Sequence, residues 1–273
     1  MKICFNTVTS GDRPLENTIT FCGKYGYDGI EIDKGHLAKY LEQRSIADLK
    51  SQLKDNRLAV AALMAFPFKA FARGEELKKD LEDFKAGSEL AAKIGAPVLL
   101  AYIAQEPPQG VAKSDLFTFA GDRARRYGEV AARLRLSVAL EPIGLAPFMS
   151  TPGEALRIAQ TTGLPNVGIM MDTFHYFKSS VQLPEIQAVP VAKLLICHVN
   201  DAPDLPREQL ADSDRVYCGL GAIPLVEEFR LLKKMGFRGY LSVEIFNKDY
   251  WNDDHETVVR QSKEHLDNVL SQL

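Results

Sequence analysis

Three observations predict an α/β fold for this chain, a single (β/α)8 TIM barrel that forms one domain over residues 1–273. The length of 273 residues is about the usual size of one such barrel. Apolar runs of strand length alternate with amphipathic stretches of helical period, as expected of parallel strands joined by right-handed crossovers. The first run is followed by Thr7-Val8-Thr9-Ser10-Gly11, which lacks the glycine-rich fingerprint of an open dinucleotide-binding sheet. The closed barrel is therefore favoured over the open sheet.

The first half of the chain divides at residues that end helices or strands. Gly26 and Gly95 follow amphipathic stretches, where glycine readily adopts the left-handed conformation of a helix C-terminus. Ser45 is suited to capping a helix, and Pro67 is expected to end the third strand because proline cannot donate to a ladder. The predicted order is strand Lys2–Thr7, helix Leu15–Tyr25, strand Gly29–Asp33, helix Ser45–Asn56, strand Leu58–Phe66, helix Gly74–Ile94 and strand Val98–Ile103.

The second half continues the alternation. Thr151-Pro152-Gly153-Glu154 combines a capping threonine, a proline at the first helical position and a glutamate three residues on, which is a helix start signal. Gly236 ends a later helix. The predicted order is helix Asp115–Leu134, strand Ser137–Glu141, a helix from Thr151, strand Val167–Asp172, a short helix near Pro184–Val189, a strand from Leu194 that carries His198, helix Pro224–Met235, strand Tyr240–Glu244 and helix Asp254–Leu273.

The composition indicates a mildly acidic globular protein. The net charge is −3, and no tract of lysine or arginine suggests a nucleic-acid partner. No apolar run approaches the ~20 residues of a membrane span, and a strand begins at once where a signal peptide would need a basic and an apolar region. The four cysteines have no CxxC spacing. We therefore expect a cytoplasmic protein with no membrane partner, and the sequence leaves open whether it forms a homo-oligomer.

Four predicted strands end in side chains that strand stability does not require. They are Glu141, Asp172, His198 and Glu244. In a barrel the carboxyl ends of all strands open on one face, so these side chains should converge there. Three carboxylates brought together repel one another unless a cation neutralises them. The set suits one divalent ion, Mn²⁺, Co²⁺, Zn²⁺ or Mg²⁺, and the sequence therefore predicts a metal site at the mouth of the barrel.

The chain resembles the xylose-isomerase-like superfamily of sugar isomerases and epimerases, and within it the inosose isomerases of inositol catabolism. The segments that carry the likeness are Met1–Asn6, Tyr25–Asp28, Ile30–Ile32, Ala139–Glu141, Met171–His175, His198–Asp201, Asp214–Val216, Gly219–Ile223 and Ser242–Phe246. The resemblance implies a TIM barrel with Glu141, Asp172, His198 and Glu244 as ligands of one divalent ion. It also implies that Glu141 and Glu244 are the catalytic acid and base, that His175 and Arg215 bind substrate oxygens, and that Glu31 lines the substrate pocket.

The implied reaction is isomerisation or epimerisation of a keto-polyol or ketose through an enediolate, without a redox cofactor. The sequence leaves alternatives open. Relatives with the same ligands include ketose 3-epimerases, hydroxypyruvate isomerases and dehydroshikimate dehydratases, the last being lyases of a cyclic hydroxyketone. A phosphodiesterase of damaged DNA is disfavoured, because that chemistry uses several zinc ions with many histidines and a basic groove, and this acidic chain has five histidines. A sugar-binding barrel without catalysis is disfavoured because it should lack a ligand, and all four are present.

Overall fold

Among the residues that the structure describes, eight strands form one closed parallel barrel in the order of the sequence. The computed structural model describes residues 1–103 and 105–273. The last strand pairs with the first, Lys2 lying opposite Tyr240, and this pairing closes the ring. The strands are β1 (Lys2–Asn6), β2 (Gly29–Asp33), β3 (Ala59–Phe68), β4 (Val98–Ile103), β5 (Ser137–Glu141), β6 (Val167–Asp172), β7 (Leu194–Val199) and β8 (Tyr240–Val243). The predicted (β/α)8 TIM barrel is confirmed.

Helices join the strands and surround the barrel. Several start and stop as the sequence predicts: Thr151 caps the helix after β5, and Gly95 and Gly236 end helices in the left-handed conformation. The helices are α1 (Leu15–Lys24), α2 (Lys34–Leu41), α3 (Ile46–Asp55), α4 (Gly74–Ile94), α5 (Lys113–Arg133), α6 (Pro152–Thr161), α7 (Thr173–Lys178), α8 (Leu183–Gln187), α9 (Leu225–Met235) and α10 (His255–Leu270). Short 3-10 turns occur at Thr7–Ser10, Val191–Lys193, Arg207–Gln209, Asp212–Asp214 and Tyr250–Asn252.

The barrel separates two apolar cores, because successive strand residues point to opposite faces of the sheet. A small cluster inside the barrel contains Cys4, Ala61, Ala62, Leu100, Ala139, Met170 and Ile196. A much larger cluster fills the space between the sheet and the helices. Two residues further along β4 to β7, the inward positions are occupied by Tyr102, Glu141, Asp172 and His198. The interior therefore changes from apolar to polar toward the carboxyl ends of the strands.

The main departures from the predicted elements occur at this same end. β3 continues through Pro67 to Phe68, although the sequence predicts that it ends before the proline. Proline has no backbone N–H to donate to a neighbouring strand. Because β2 pairs with β3 only as far as Met64, no backbone oxygen of β2 loses a hydrogen bond at Pro67. A register shift beside Ala65, whose φ is 71°, turns Phe66 and Phe68 outward onto helix residues. Helices α2 and α7, which the sequence did not predict, start immediately after strands. Asp33 and Asp172 cap them.

Within residues 1–103 and 105–273, no helix combines the length and apolar character needed to cross a bilayer.

Candidate metal centre and active site

The four residues that the sequence places at strand ends converge at the mouth of the barrel. Glu141, Asp172, His198 and Glu244 each offer one ligand atom, and these atoms all lie within 4.8 Å of one another. All four side chains are buried, Glu141 being the most exposed at 8%. They come from β5, β6, β7 and the residue after β8, which are consecutive strands of the closed sheet. The parallel arrangement explains the convergence, because every strand ends on the same face.

The imidazole of His198 is oriented by the carboxylate of Glu31. Nε2 of His198 lies 2.9 Å and 3.1 Å from the two oxygens of Glu31. Ser242 donates a further hydrogen bond of 2.6 Å to Glu31. A carboxylate accepts this hydrogen bond, so Nε2 donates its proton to Glu31, and Nδ1 is the ring nitrogen that faces the cluster. This carboxylate–histidine pair is the arrangement that commonly orients metal-binding histidines.

Nδ1 of His198 faces the three carboxylates. It lies 2.9 Å from Glu244 Oε2, 3.6 Å from Glu141 Oε1 and 3.7 Å from Asp172 Oδ2. Nδ1 is buried, and it forms no hydrogen bond with these oxygens or with any other of the described residues. One imidazole nitrogen and three carboxylates form a donor set that suits zinc, manganese, cobalt or magnesium. The residues present therefore fit a divalent ion.

The electrostatics of the cluster reflect burial and close packing of opposite charges. Burial raises the pKa of Glu141, and His198 only partly opposes this effect. Burial lowers the pKa of His198, but Glu244 and Glu31 together raise it well above its ordinary value. Burial also opposes ionisation of Asp172, yet the neighbouring Arg215 holds the pKa of that carboxyl well below its usual range. A positive charge within the cluster is therefore strongly favoured.

Arg215 and His175, the predicted substrate contacts, lie directly beside the four convergent residues. Nη1 of Arg215 donates to Asp172 Oδ2 and to Glu244 Oε2, both at 2.8 Å, and Nη2 donates to Asp212 at 2.9 Å. Nη2 also lies 3.2 Å from Nε2 of His175. Because a guanidinium only donates, Nε2 accepts and the ring proton of His175 is on Nδ1. That Nδ1 has no hydrogen-bond partner among the residues described.

Asp201 anchors the loop that brings Arg215 into the site. Its buried carboxylate accepts backbone N–H bonds of 2.9–3.0 Å, donated by Ala202, Gly219, Gly221 and Ile223. Its own backbone pairs with that of Val216, the residue after Arg215. A Cβ on Gly221 would lie 2.1 Å from the carbonyl oxygen of Ala202, so only glycine allows this close approach. The loop is thus fixed at both ends.

Two buried asparagines at the site were not identified from the sequence. Asn6, at the end of β1, donates to Glu244 Oε1 at 3.1 Å. Asn200 donates to the backbone oxygen of Glu244 at 3.1 Å and lies 3.4 Å from Asp172 Oδ1. Both lie at strand ends in the segments quoted for the family resemblance, and that position was the available signal. They hold two of the carboxylates in place.

Next to β5 along the ring, the mouth is bordered by β4 and β3. Met64 and Tyr102, which we call the β3–β4 wall, are both partly exposed. Tyr102 lies opposite Glu141 in the strand register, and burial, Glu141 and Asp33 all raise the pKa of its phenol. Met64 accepts a hydrogen bond of 3.0 Å from Asn6. This wall and the carboxylates face the same opening.

Glu31 occupies a different place from the one expected. The resemblance implied that it lines the substrate pocket, but the structure buries it completely, and its carboxylate is occupied by His198 and Ser242. The difference arises because β2 points this side chain across the barrel interior toward β7 and β8. Two aromatic side chains, one in β3 and one after β8, pack against other rings: Phe66 contacts Phe84, and Tyr250 stacks on Tyr217.

The fold and the polar cluster at its mouth define a (β/α)8-barrel enzyme. Comparison with known proteins then specifies its family. The model of the xylose isomerase-like TIM barrel family matches residues 19–269, and the chain belongs to that family.

Three similar proteins illustrate the relationship. The inosose isomerase of Halalkalibacterium halodurans is 30% identical over 99% of this chain and 97% of its own length. The solved structure of an IOLI protein with a bound zinc atom has 28% identity and a TM-score of 0.93, covering 99% of this chain and 98% of that one. The 3-dehydroshikimate dehydratase of Pseudomonas putida is 24% identical over 82% of this chain and 35% of its own length. The full-length relatives support an isomerase or epimerase enzyme.

Proposed function

We propose that this chain is a divalent-metal-dependent isomerase of a keto-polyol, with an inosose as its substrate, and that residues 1–273 act as one domain. The observation that carries the proposal is the convergence of Glu141, Asp172 and Glu244 around Nδ1 of His198. Full-length relatives named inosose isomerase, at about 30% identity, support the substrate class. The zinc atom of the similar IOLI structure supports an ion at such a centre, with zinc, manganese, cobalt and magnesium all suited to the donors.

His198, Asp172, Glu141 and Glu244 would hold the ion. When bound, a divalent ion polarises a substrate carbonyl and neutralises the charge that develops on its oxygen. Glu31 would keep His198 in the tautomer whose Nδ1 is free to bind, and Asn6 would fix the Glu244 carboxylate. These buried partners leave little rotational freedom, so the site is organised before substrate arrives.

Glu141 and Glu244 would transfer the proton. One carboxylate removes the hydrogen from the hydroxyl-bearing carbon beside the substrate carbonyl. The C–H electron pair forms the carbon–carbon double bond of an enediolate, and the carbonyl π pair moves onto the carbonyl oxygen. Return of a proton to the former carbonyl carbon, with transfer of the hydroxyl proton to the former carbonyl oxygen, moves the carbonyl by one position. Return to the same carbon from the opposite side inverts it. The two glutamates come from β5 and from the end of β8, so they approach the mouth from separate positions on the ring.

Arg215, His175 and the β3–β4 wall would bind the polyol. Arg215 has five N–H donors, of which the carboxylates of Asp172, Glu244 and Asp212 already occupy several. The proton on Nδ1 of His175 is available for a substrate oxygen. Tyr102 can present its phenol from β4, beside Glu141. Together these groups would select a small molecule rich in hydroxyl groups.

Deuterium transfer from solvent tests this proposal. The enzyme, loaded with Mn²⁺, is run in D₂O with a keto-inositol, and carbon-bound deuterium is followed by NMR. We expect label on the carbon that receives the proton, and we expect Glu244→Gln to abolish both turnover and exchange. Product formed without any solvent label would indicate a hydride shift and remove the glutamates as bases. Loss of water from the substrate would instead assign the enzyme to the dehydratase class, which the Pseudomonas putida relative represents.

A further inference from the structure

A polar cavity lies between the loop that joins β3 to α4 and helix α5, separate from the carboxylate cluster. It has a volume of about 440 Å³, within the range of small-molecule sites. Its charged lining consists of Arg73, Arg123, Arg126 and Asp122, and its apolar lining includes Phe71 and Phe119. Arg73 directly precedes α4, whereas Arg123 and Arg126 are three residues apart on α5 and share one face of that helix. Three cations and one anion therefore surround the cavity.

The positive charge of this cavity is not neutralised by neighbouring carboxylates. Among the described residues, none of the three arginines has a carboxylate within ion-pair distance, and Asp122 pairs instead with Arg125 at 3.7 Å. Burial lowers the pKa of Arg123, and the adjacent Arg126 guanidinium lowers it further, while Asp80 acts in the opposite direction. In a chain of net charge −3, this is a local concentration of unpaired positive charge.

Arg123 supplies the second observation. Its Nη2 donates to the backbone oxygen of Ala72 at 2.7 Å, which fixes the guanidinium under the loop between β3 and α4. Its Nε and Nη1 are enclosed by protein and have no acceptor among the residues that the structure describes. Arg123 is therefore a fixed positive charge beside the cavity, and no carboxylate of those residues neutralises it. Arg73 is also positioned, since its guanidinium lies 5.9 Å from the ring centroid of Phe119.

We propose that this cavity binds an organic phosphate monoester. The side chains that line it carry a net charge of about +2, which matches the charge of about −1.5 to −2 on a phosphate monoester at neutral pH. Guanidinium groups bind phosphate oxygens through paired N–H donors, which ammonium groups cannot do. The cavity is too large for phosphate alone, and the rings of Phe71 and Phe119 offer apolar contact to the organic part of the ligand. The site is independent of the metal chemistry proposed above.

Isothermal titration of the metal-loaded chain with phenyl phosphate tests this site. We expect saturable binding that persists after the metal is removed with EDTA. The exposed Arg126→Gln and Arg73→Gln variants should each weaken it about tenfold, because each loses one charge-assisted donor pair. Arg125→Gln is the matched control, since Arg125 lies on the same helix but does not line the cavity. It should bind as the wild type does.

Four results would overturn the proposal. Binding that disappears with the metal and is unchanged in Arg126→Gln would place the phosphate at the carboxylate cluster. Equal weakening in Arg125→Gln and Arg126→Gln would indicate general attraction to a basic helix surface. Benzoate that binds as tightly as phenyl phosphate would contradict the assignment of a dianion. Absence of any binding at millimolar phenyl phosphate would identify the arginines as solvated surface residues.

Discussion

The contact between Glu31 and His198 makes a quantitative prediction about metal affinity. Glu31→Gln keeps the size of the side chain but removes its charge. In the native protein, Nε2 of His198 lies 2.9 and 3.1 Å from the two carboxylate oxygens of Glu31. In the variant, the single amide oxygen can still accept a hydrogen bond from Nε2. The amide nitrogen would have to face Ser242, which donates to Glu31 in the native site. A neutral acceptor is roughly half as strong as a charged one, and losses of such supporting partners usually cost 10–100-fold in metal affinity, about 1.4–2.7 kcal/mol.

Competition with a chelator measures this effect. The fraction of Zn²⁺ retained by wild type and variant is determined against a chelator of known affinity, at constant pH. Glu228→Gln serves as the matched control, because Glu228 is another buried glutamate but has no hydrogen bond to the cluster. We expect weaker binding at unchanged stoichiometry in Glu31→Gln, and no change in the control. Unchanged affinity in Glu31→Gln would refute the supporting role of Glu31. Complete loss of the ion would mean that Glu31 is itself a ligand.

Two further predictions concern the loop and the fold. In Asp201→Asn, the four backbone N–H groups that donate to the Asp201 carboxylate lose one of its two acceptor oxygens, so the loop that carries Arg215 should become more mobile. We expect kcat/KM to fall about tenfold to a hundredfold, while metal content stays at the wild-type level. Loss of the ion together with activity would contradict this separation. Burial raises the pKa of Glu228 from 4.5 to about 8, so its contribution to stability is present below about pH 4.5 and is lost as pH rises to about 8. Glu228→Gln should remove this dependence and add up to roughly 3 kcal/mol near neutral pH, measured by urea unfolding at several pH values. A variant that is less stable across that range would show that the carboxyl has a partner its amide cannot replace.

The convergence of the four side chains was predictable from the parallel arrangement of the strands. Glu141, Asp172 and His198 each end an apolar run, and parallel strands bring such ends to one face. The alternation of strands and helices was equally predictable, because the spacing of apolar residues and the glycines that end helices are local properties of the sequence. The strand positions were therefore nearly right from the sequence.

The partners of these residues were not predictable, because they depend on closure of the barrel. Glu31 reaches His198 across 167 positions of sequence, and Asn6 reaches Glu244 across 238. The position of Glu31 in β2 predicts that its side chain points into the barrel. It does not predict which strand carries its hydrogen-bond partner. The extension of β3 past Pro67 likewise depends on where β2 stops pairing, which is a tertiary property.

We propose that Glu141, Asp172, His198 and Glu244 hold one divalent ion, with Nδ1 of His198 as its nitrogen ligand. Anomalous diffraction at the zinc edge, from crystals of the full chain soaked in Zn²⁺, tests it most directly. We expect one strong peak about 2.0–2.1 Å from Nδ1 of His198 and about 2.0–2.2 Å from oxygens of Glu141, Asp172 and Glu244. A peak on Nε2 of His198, or a well-ordered barrel with no peak among these four residues, would contradict the account.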